Sequence, residues 1–250
     1  MIMPNARLSA PYEPRIYRRL FSGGDLVSFN VIIKETDLAI KAERDLRSKA
    51  ALGVRRARRQ IEKYIWGHPE FKTALHPIQV DEDAGEIPRT MAEAGAKAGT
   101  GPMAAVAGAV AEYVGQGLLE DSEEVIVENG GDVFLRTLKE RTVAVYAGNS
   151  PLSGRLGLKI SPSESPWGVC TSSGTVGHSL SFGKADAVVV LSRSTPLADA
   201  AATATCNIVE RRQDIQKALN FARSIPGVLG TLVIFADTLG VWGEIELVRI

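Results

Sequence analysis

Residues 124–135 read EVIVENGGDVFL, in which two apolar runs flank the polar turn sequence Asn129-Gly130-Gly131. Both runs are rich in the β-branched and aromatic residues that favour strands. An Asn-Gly pair between two such runs is a strong signal for a tight hairpin, because its central residues adopt the positive φ angles that the turn needs. The stretch therefore predicts two antiparallel strands within a β-rich region.

The pattern on either side of this hairpin alternates between strand-like and helical periods. Strands are predicted in 25–40 (a strand pair), 142–147, 155–160, 168–171 and 185–191, with a terminal hairpin at 230–250. Helices are predicted at 41–66, 88–97, from Pro102 to Gly115 or Gly117, from the N-cap Thr195 to about Val209, and at 212–224. These elements predict an α+β fold, with antiparallel sheets packed against long helices. We expect a single domain over 1–250, with a helical/β N-terminal part over about 1–118 and a β-rich part with late helices over about 119–250.

Composition excludes several classes of protein. The 250 residues carry 29 basic and 29 acidic side chains, and 45% of them are hydrophobic. This neutral balance gives no drive towards nucleic acid or an anionic membrane, so the arginines at 55–59 are interpreted as a solvated helix face. No apolar run approaches the roughly 20 residues of a membrane span, and no secretory signal pattern is visible, so we expect a cytoplasmic protein. The 2 cysteines cannot form a disulfide framework.

The first candidate motif is Gly99-Thr-Gly101-Pro-Met-Ala104, which matches the dinucleotide pattern GxGxxG/A. That pattern indicates a Rossmann site only between a strand and a helix, and here the preceding segment is predicted to be helical. A glycine-rich turn that leads into a helix can still bind a phosphate through free backbone amides. Gly99 and Gly101 are therefore candidate cofactor-binding residues, and a tight interhelical turn is the structural alternative.

The hairpin turn itself is the second candidate. Gly130 and Gly131 would let a flat ring or a phosphate approach the backbone closely. Asn129 or Asp132 would then supply a polar contact to the bound group. The alternative is that these residues only form the turn.

The third candidate follows a predicted strand and reads CTSSGTVGH from Cys170 to His178. Its hydroxyl groups and glycines can wrap a phosphate or a polar ring edge; the candidate binding residues are Thr171, Ser172, Ser173 and Gly174. A nucleophile pair of Cys170 and His178 is a different interpretation, although Cys170 is also typical of a small buried strand residue. The GxSxG signature of a serine hydrolase elbow is not found here.

The fourth candidate is Ala198-Asp199-Ala-Ala-Ala-Thr203. On a helix, Asp199 and Thr203 lie four residues apart and therefore on one face. A carboxylate beside a hydroxyl suits a hard cation such as Mg²⁺, which prefers oxygen ligands. The structural alternative is that Asp199 favours the N-terminal end of its helix and that Thr203 bonds back to a carbonyl.

The order of these motifs along the chain resembles the ApbE family of FAD:protein FMN transferases. Members of that family have a GGD-type turn, a TSG segment and a late ADAxxT helix in the same order. The matching residues here lie within about 99–209, and the wording GTGPMAAVAGAVAE, ENGGD and CTSSGTVGHS looks like a cytoplasmic ApbE-like branch. The resemblance implies an ApbE-like (T-fold-like) architecture.

The resemblance also implies a function and its residues. Asp199 and Thr203 would match the family's Mg²⁺ ligands, the GGD turn and the TSG segment would line the flavin nucleotide pocket, and His178 would be the catalytic counterpart. The expected activity is Mg²⁺-dependent phosphoryl transfer from FAD, either to an acceptor flavoprotein or to water. The expected partners are thus a small nucleotide ligand and an acceptor protein, and apolar edges in the β-rich half allow a homodimer.

Two departures from the family pattern keep alternatives open. The IDPxTGxP stretch is replaced by residues 177–186, and no lysine matches the family's Lys-Gly pair before the central helix. One alternative is an enzyme of the same fold that acts on another nucleotide or on a pterin-like cofactor. Another is a non-catalytic cofactor-binding or assembly protein.

Overall fold

The computed structural model describes residues 24–174 and 183–250. Its strands are β1 (Val27–Ile33), β2 (Thr36–Ala42), β3 (Val125–Asn129), β4 (Asp132–Thr137), β5 (Arg141–Ala144), β6 (Leu156–Ile160), β7 (Ser163–Ser172), β8 (Ala187–Ser192), β9 (Val228–Phe235), β10 (Thr238–Gly243) and β11 (Leu247–Arg249). Its α-helices are α1 (Arg47–Gly67), α2 (Glu70–Thr73), α3 (Glu86–Ala98), α4 (Val106–Leu118), α5 (Thr195–Cys206) and α6 (Ile215–Ser224). Short 3-10 turns, Pro102–Ala105 and Arg212–Asp214, precede α4 and α6.

The described elements form three layers, and the middle layer is a large antiparallel sheet. Eight strands pair in the order β1-β2-β3-β4-β7-β8-β9-β10, and a second sheet has the order β11-β6-β5. The helices cover one face of the large sheet, in a core that contains Val127 and Phe134. The small sheet covers the other face, where Leu135 packs with Leu158. This arrangement confirms the predicted α+β class with antiparallel sheets against helices.

The hairpin predicted from residues 124–135 is confirmed. Strands β3 and β4 pair in antiparallel fashion, and Asn129 lies opposite Asp132 across the turn. Gly130 and Gly131 have φ angles of 71° and 105°. Two consecutive positive φ angles are what a two-residue type I′ turn requires, and residues with a side chain rarely adopt them. The sequence of the turn therefore fixes how Asp132 enters β4.

Helix α4 does not end at the glycines that predicted its end. It continues through Gly115 and Gly117 to Leu118. A side chain at Gly115 would overlap the ring of Phe134 on β4. This glycine therefore allows the helix to approach the sheet closely. Glycine predicts a helix end because it disfavours helices, and the sequence alone does not indicate a packing role.

The predicted start of the first helix and the predicted C-terminal hairpin are corrected. The helix expected from residue 41 begins at Arg47, because Thr36–Ala42 pairs with β1 and β3 as a strand. At the C-terminus, β9 and β10 form the expected hairpin, but β11 pairs with β6 in the second sheet. In both places, the structure differs from the prediction because a segment pairs as a strand with a segment that is distant in sequence.

The boundaries of α5 also differ from the prediction by a few residues. Its N-cap is Ser194, whose Oγ accepts a hydrogen bond from the Leu197 amide at 3.4 Å, and Thr195 is the first helical residue. The helix ends at Cys206 rather than at Val209, whose carbonyl instead accepts a hydrogen bond from the Lys184 amide at 2.7 Å. None of the helices in the described ranges is both long and apolar enough to cross a bilayer.

Candidate functional site

Asp132 and Asp199 come together between the large sheet and the helices. Asp132 is the first residue of β4, and Asp199 lies in the second turn of α5. Burial and the nearby charge of Asp199 raise the pKa of the Asp132 carboxyl well above its ordinary value. The Oδ1 atom of Asp132 is buried and has no hydrogen-bond partner within the described part of the chain. Two acidic groups from distant segments thus share a poorly solvated space, an arrangement typical of functional sites.

Asp199 also binds the N-terminus of another helix. Its Oδ2 accepts a hydrogen bond from the amide of Gly108, the third residue of α4, at 2.8 Å. The first amides of a helix have no partner within it, so a carboxylate stabilises them. Burial raises the pKa of Asp199 to about 7, and the amides of Gly108 and Ala107 oppose that rise. The predicted alternative, a role at the start of its own helix, is thus replaced by a role at the start of α4.

Asn129 and the turn glycines are held close to the same helix start. The Asn129 side-chain amide donates to the Ala107 carbonyl at 3.0 Å. The Gly131 amide donates to Oε1 of Glu128 at 2.9 Å, and Glu128 is only 1% exposed. Asn129 therefore ties the turn to the start of α4, Glu128 holds the turn from within, and a ligand would meet a preformed surface.

The segment Thr171–Gly174 borders Asp132. The backbone amide of Thr171 lowers the pKa of the Asp132 carboxyl and so opposes the effect of burial. The Oγ atom of Ser172 is buried and, among the described residues, has no hydrogen-bond partner. A side chain at Gly174 would overlap the Gly183 carbonyl, so these two residues are in contact. His178, the predicted catalytic residue, lies outside the described residues.

The donors that converge here fit a magnesium ion. Asp132, Asp199 and Thr203 offer only oxygen atoms, and Thr203, one turn after Asp199, is 8% exposed. The described His, Cys, Asp and Glu side chains form no group of three or more that could hold a metal. Mg²⁺ does not need such a group, because one or two carboxylates with waters and phosphate oxygens bind it. Because Oδ1 of Asp132 is buried without a hydrogen-bond partner among the described residues, it is an oxygen atom that could bind such a cation, and the magnesium assignment stays a prediction.

Gly99 and Gly101 have structural explanations. Gly99 is the left-handed C-cap of α3, with φ of 75°. A side chain at Gly101 would overlap the carbonyl oxygen of Ala74. The α-helix starts only at Val106, and one of its free amides, that of Gly108, already binds Asp199. The interhelical turn is therefore confirmed, and phosphate binding by these glycines stays a prediction.

Cys170 has the environment of a structural cysteine. It is fully buried, and its Sγ atom contacts the Thr195 carbonyl oxygen at 3.3 Å. Burial and the charges of Asp132 and Asp199 raise the pKa of the thiol well above its ordinary value. Nucleophilic cysteines need a lowered pKa, so this environment disfavours the Cys170–His178 alternative.

Sequence patterns do not single out Gly108 or Glu128 as parts of this site. Gly108 stands among small residues in AAVAGAV, and Glu128 precedes the turn without belonging to a known motif. The sequence does contain one signal for Glu128. It is an acidic residue directly before Asn-Gly-Gly, and a glutamate side chain is long enough to reach the Gly131 amide in the turn. The contact of Gly108 with Asp199 has no local signal.

Comparison with known proteins assigns the chain to a family. A family model described as "AbpE bacteria" matches residues 18–241. The chain belongs to this ApbE-like family. A UPF0280 protein of Methanocaldococcus jannaschii is 43% identical over 226 residues, which cover 88% of this chain and 92% of that relative.

Two solved structures share the fold at low sequence identity. The ApbE protein of Thermotoga maritima aligns with a TM-score of 0.56 and 12% identity, over 86% of this chain and 96% of that one. The flavinyl transferase ApbE of Pseudomonas stutzeri, in its apo form, aligns with a TM-score of 0.54 and 14% identity, over 87% and 94%. These neighbours confirm the predicted ApbE-like architecture.

Proposed function

We propose that this family member binds FAD together with Mg²⁺ and catalyses phosphoryl transfer from it. The observation that carries the proposal is the buried pair of Asp132 and Asp199 beside the Gly130-Gly131 turn, with Oδ1 of Asp132 unpartnered. Burying two carboxylates without a counter-charge is costly, and a bound cation removes that cost. The description of one neighbour of the same fold as a flavinyl transferase supports the choice of flavin.

In this proposal Asp199 and Thr203 hold the metal, and Asp132 lies beside them. When bound, Mg²⁺ neutralises the negative charge of a diphosphate. The Gly130-Gly131 turn would let the nucleotide approach the backbone, and the hydroxyl group of Ser172 would bind its polar atoms. The side chain of Thr171 points to the opposite face of β7, because its pair partner Val189 lies in the core beneath the small sheet. Because Asn129 and Glu128 already fix the turn, little ordering would be required on binding.

The proposed reaction moves the FMN half of FAD to a hydroxyl of an acceptor flavoprotein. A new bond forms between the acceptor oxygen and the FMN phosphorus, and the bond from that phosphorus to the bridging oxygen breaks. AMP leaves with the bridging oxygen, and the hydroxyl proton is released. His178 is the proposed catalytic residue for this proton. With water as acceptor, the same step gives FMN and AMP.

The test is release of AMP from FAD by the purified protein, measured by chromatography with Mg²⁺ and with EDTA. We expect metal-dependent AMP, and a loss of at least about tenfold in Asp199→Asn. Asp237→Asn is the matched control, because Asp237 is an exposed aspartate whose nearest cation, on Arg212, is 3.9 Å away. The absence of AMP with every divalent metal and acceptor would contradict the enzymatic proposal.

A second candidate is a protein that binds a nucleotide or pterin-like cofactor without catalysis. The observation that favours it is the hydrogen bond from Gly108 to Asp199, because this contact gives Asp199 a role that needs no metal. In this case, ligand binding survives in Asp199→Asn, whose amide oxygen still accepts from Gly108. A thermal-shift panel of FAD, FMN, other nucleotides and pterins, each with EDTA, separates the two candidates.

A further inference from the structure

Helices α4 and α5 bind each other's N-termini through two carboxylates. Asp199 of α5 accepts from the Gly108 amide of α4 at 2.8 Å. Glu112 of α4 accepts, through Oε2, from the amide of Thr195, the first residue of α5, at 2.7 Å. The two helices therefore run in opposite directions, and each contributes a side chain from its second turn to the start of the other.

The missing side chain of Gly108 makes this close approach feasible. A Cβ atom there would lie 2.5 Å from the Thr195 carbonyl oxygen and 2.9 Å from Cβ of Asp199. Such separations are shorter than normal van der Waals contacts. The reciprocal hydrogen bonds and the close backbone contact together fix how far α5 is displaced along α4.

We infer that Glu112 is a positioning residue for the proposed metal site: by holding the first turn of α5, it sets the position of Asp199 and Thr203. This inference rests on the proposed function. Within the described part of the chain, Glu112 makes no hydrogen bond to Asp199 or Thr203. It acts on them because Thr195, Asp199 and Thr203 lie one turn apart on the same side of one rigid helix.

The chemistry of the contact explains why an acid is used here. The first amides of α5 carry the positive end of the helix dipole, so a carboxylate binds them better than a neutral acceptor does. The Ser194 hydroxyl accepts from the Leu197 amide, at 3.4 Å, and the Thr195 amide donates to Glu112 instead. Removing Glu112 therefore leaves an unpaired amide at the start of α5, and we expect the first turn to fray or shift.

The test compares Mg²⁺ binding by calorimetry in the wild type, Glu112→Ala and Glu112→Gln. Loss of a group that orients metal ligands typically weakens affinity about 10- to 100-fold, so we expect Kd to rise about tenfold in Glu112→Ala. Glu112→Gln retains an acceptor oxygen and should stay within about threefold of the wild type. The matched control is Glu86→Ala, because Glu86 lines the same cavity of about 390 Å³ as Glu112 but lies on α3.

A second readout separates this inference from the proposed function. Hydrogen exchange of the Gly108 amide reports directly on its contact with Asp199, with or without metal. We expect about tenfold faster exchange in Glu112→Ala and no change in Glu86→Ala. A lower melting temperature with unchanged Mg²⁺ affinity and unchanged Gly108 exchange would overturn the positioning role.

If the wild type binds no Mg²⁺, the proposed metal site is wrong, and the Gly108 exchange rate alone decides whether Glu112 positions Asp199. If the wild type binds Mg²⁺ and Glu112→Ala binds it equally well, the proposed function stands and the positioning role is wrong.

Discussion

Two glycine pairs of this chain look alike in sequence and differ in structure. Gly99 and Gly101 stand in a GTG motif, Gly130 and Gly131 stand in NGGD, and both patterns predict contact with a nucleotide. A side chain at Gly101 would overlap the chain's own backbone, whereas the nearest atom to a side chain at Gly131 would be 3.8 Å away. Gly101 is explained by packing, whereas Gly99, Gly130 and Gly131 are explained by their positive φ angles.

The difference shows that a glycine motif has to be judged by what occupies the place of the missing side chain. Beside Gly101 that place holds the Ala74 carbonyl, so a ligand cannot approach from this side. Beside Gly131 the place is open, and Asp132 follows directly with a buried carboxylate. Only the pair Gly130-Gly131 has both open space for a ligand and a buried carboxylate, that of Asp132, without a neutralising charge beside it in the described part of the chain.

Gly101→Ala gives the largest expected loss of stability. Overpacking against backbone atoms cannot be relieved by a side-chain rotation, so we expect the free energy of unfolding to fall by about 3 kcal/mol or more. Urea denaturation measures it. Gly117→Ala is the matched control, because no atom lies within 4 Å of a side chain there and alanine favours a helix. Equal behaviour of the two variants would show that the Gly101 turn is open, and the contrast between the glycine pairs would disappear.

The buried carboxylates give a pH dependence that the Gly101 region lacks. The pKa of Asp199 in the folded state is about 7, above its ordinary value of 3.8, so the folded protein binds more protons than the unfolded chain between these values. The metal-free protein should therefore lose stability as the pH rises from about 4 to about 7, as followed by melting temperature.

Asp199→Asn is the control for this pH dependence. Its amide retains an acceptor for the Gly108 amide but does not ionise, so the decline in melting temperature should become shallower. Asp132, whose pKa is also raised, should leave a residual slope. An unchanged profile in Asp199→Asn would mean that its carboxyl is not desolvated.

The sequence predicts local features of this protein well and long-range contacts poorly. The hairpin at residues 124–135 follows from its own turn residues and needs no further information. The contacts of Asp199 with Gly108 and of Thr195 with Glu112 join residues 91 and 83 positions apart, so no local pattern contains them. The same holds for Gly115, which resembles a helix end but accommodates the ring of Phe134. The order of the motifs was sufficient to predict a candidate site, whereas the pairing of α4 with α5 that shapes this site could be recognised only from the fold.

Gly131→Ala should cost less than Gly101→Ala. A φ of 105° is strained for alanine although no atom crowds it, and such backbone strain costs about 1–2 kcal/mol. The loss in urea denaturation should therefore be about half of that at Gly101. FAD binding, measured by fluorescence titration, should weaken in this variant if the turn contacts the nucleotide. A larger loss of stability than in Gly101→Ala would reverse the assignment of the two pairs.

Of these variants, Ser172→Ala has the smallest expected effect on stability. It gives the clearest test of the difference between a position that is explained by internal packing, such as Gly101, and a position that is open to a ligand. The Ser172 hydroxyl is buried without a partner among the described residues, so replacing it with a methyl-sized group removes a desolvated polar atom and breaks no internal hydrogen bond. We expect the free energy of unfolding to change by no more than about 0.5 kcal/mol. The hydroxyl is instead available to a ligand, so the affinity for FAD should fall several-fold while urea denaturation stays unchanged. A loss of more than about 1 kcal/mol would reveal an internal partner for Ser172 and would make this side of the site as structural as the turn at Gly101.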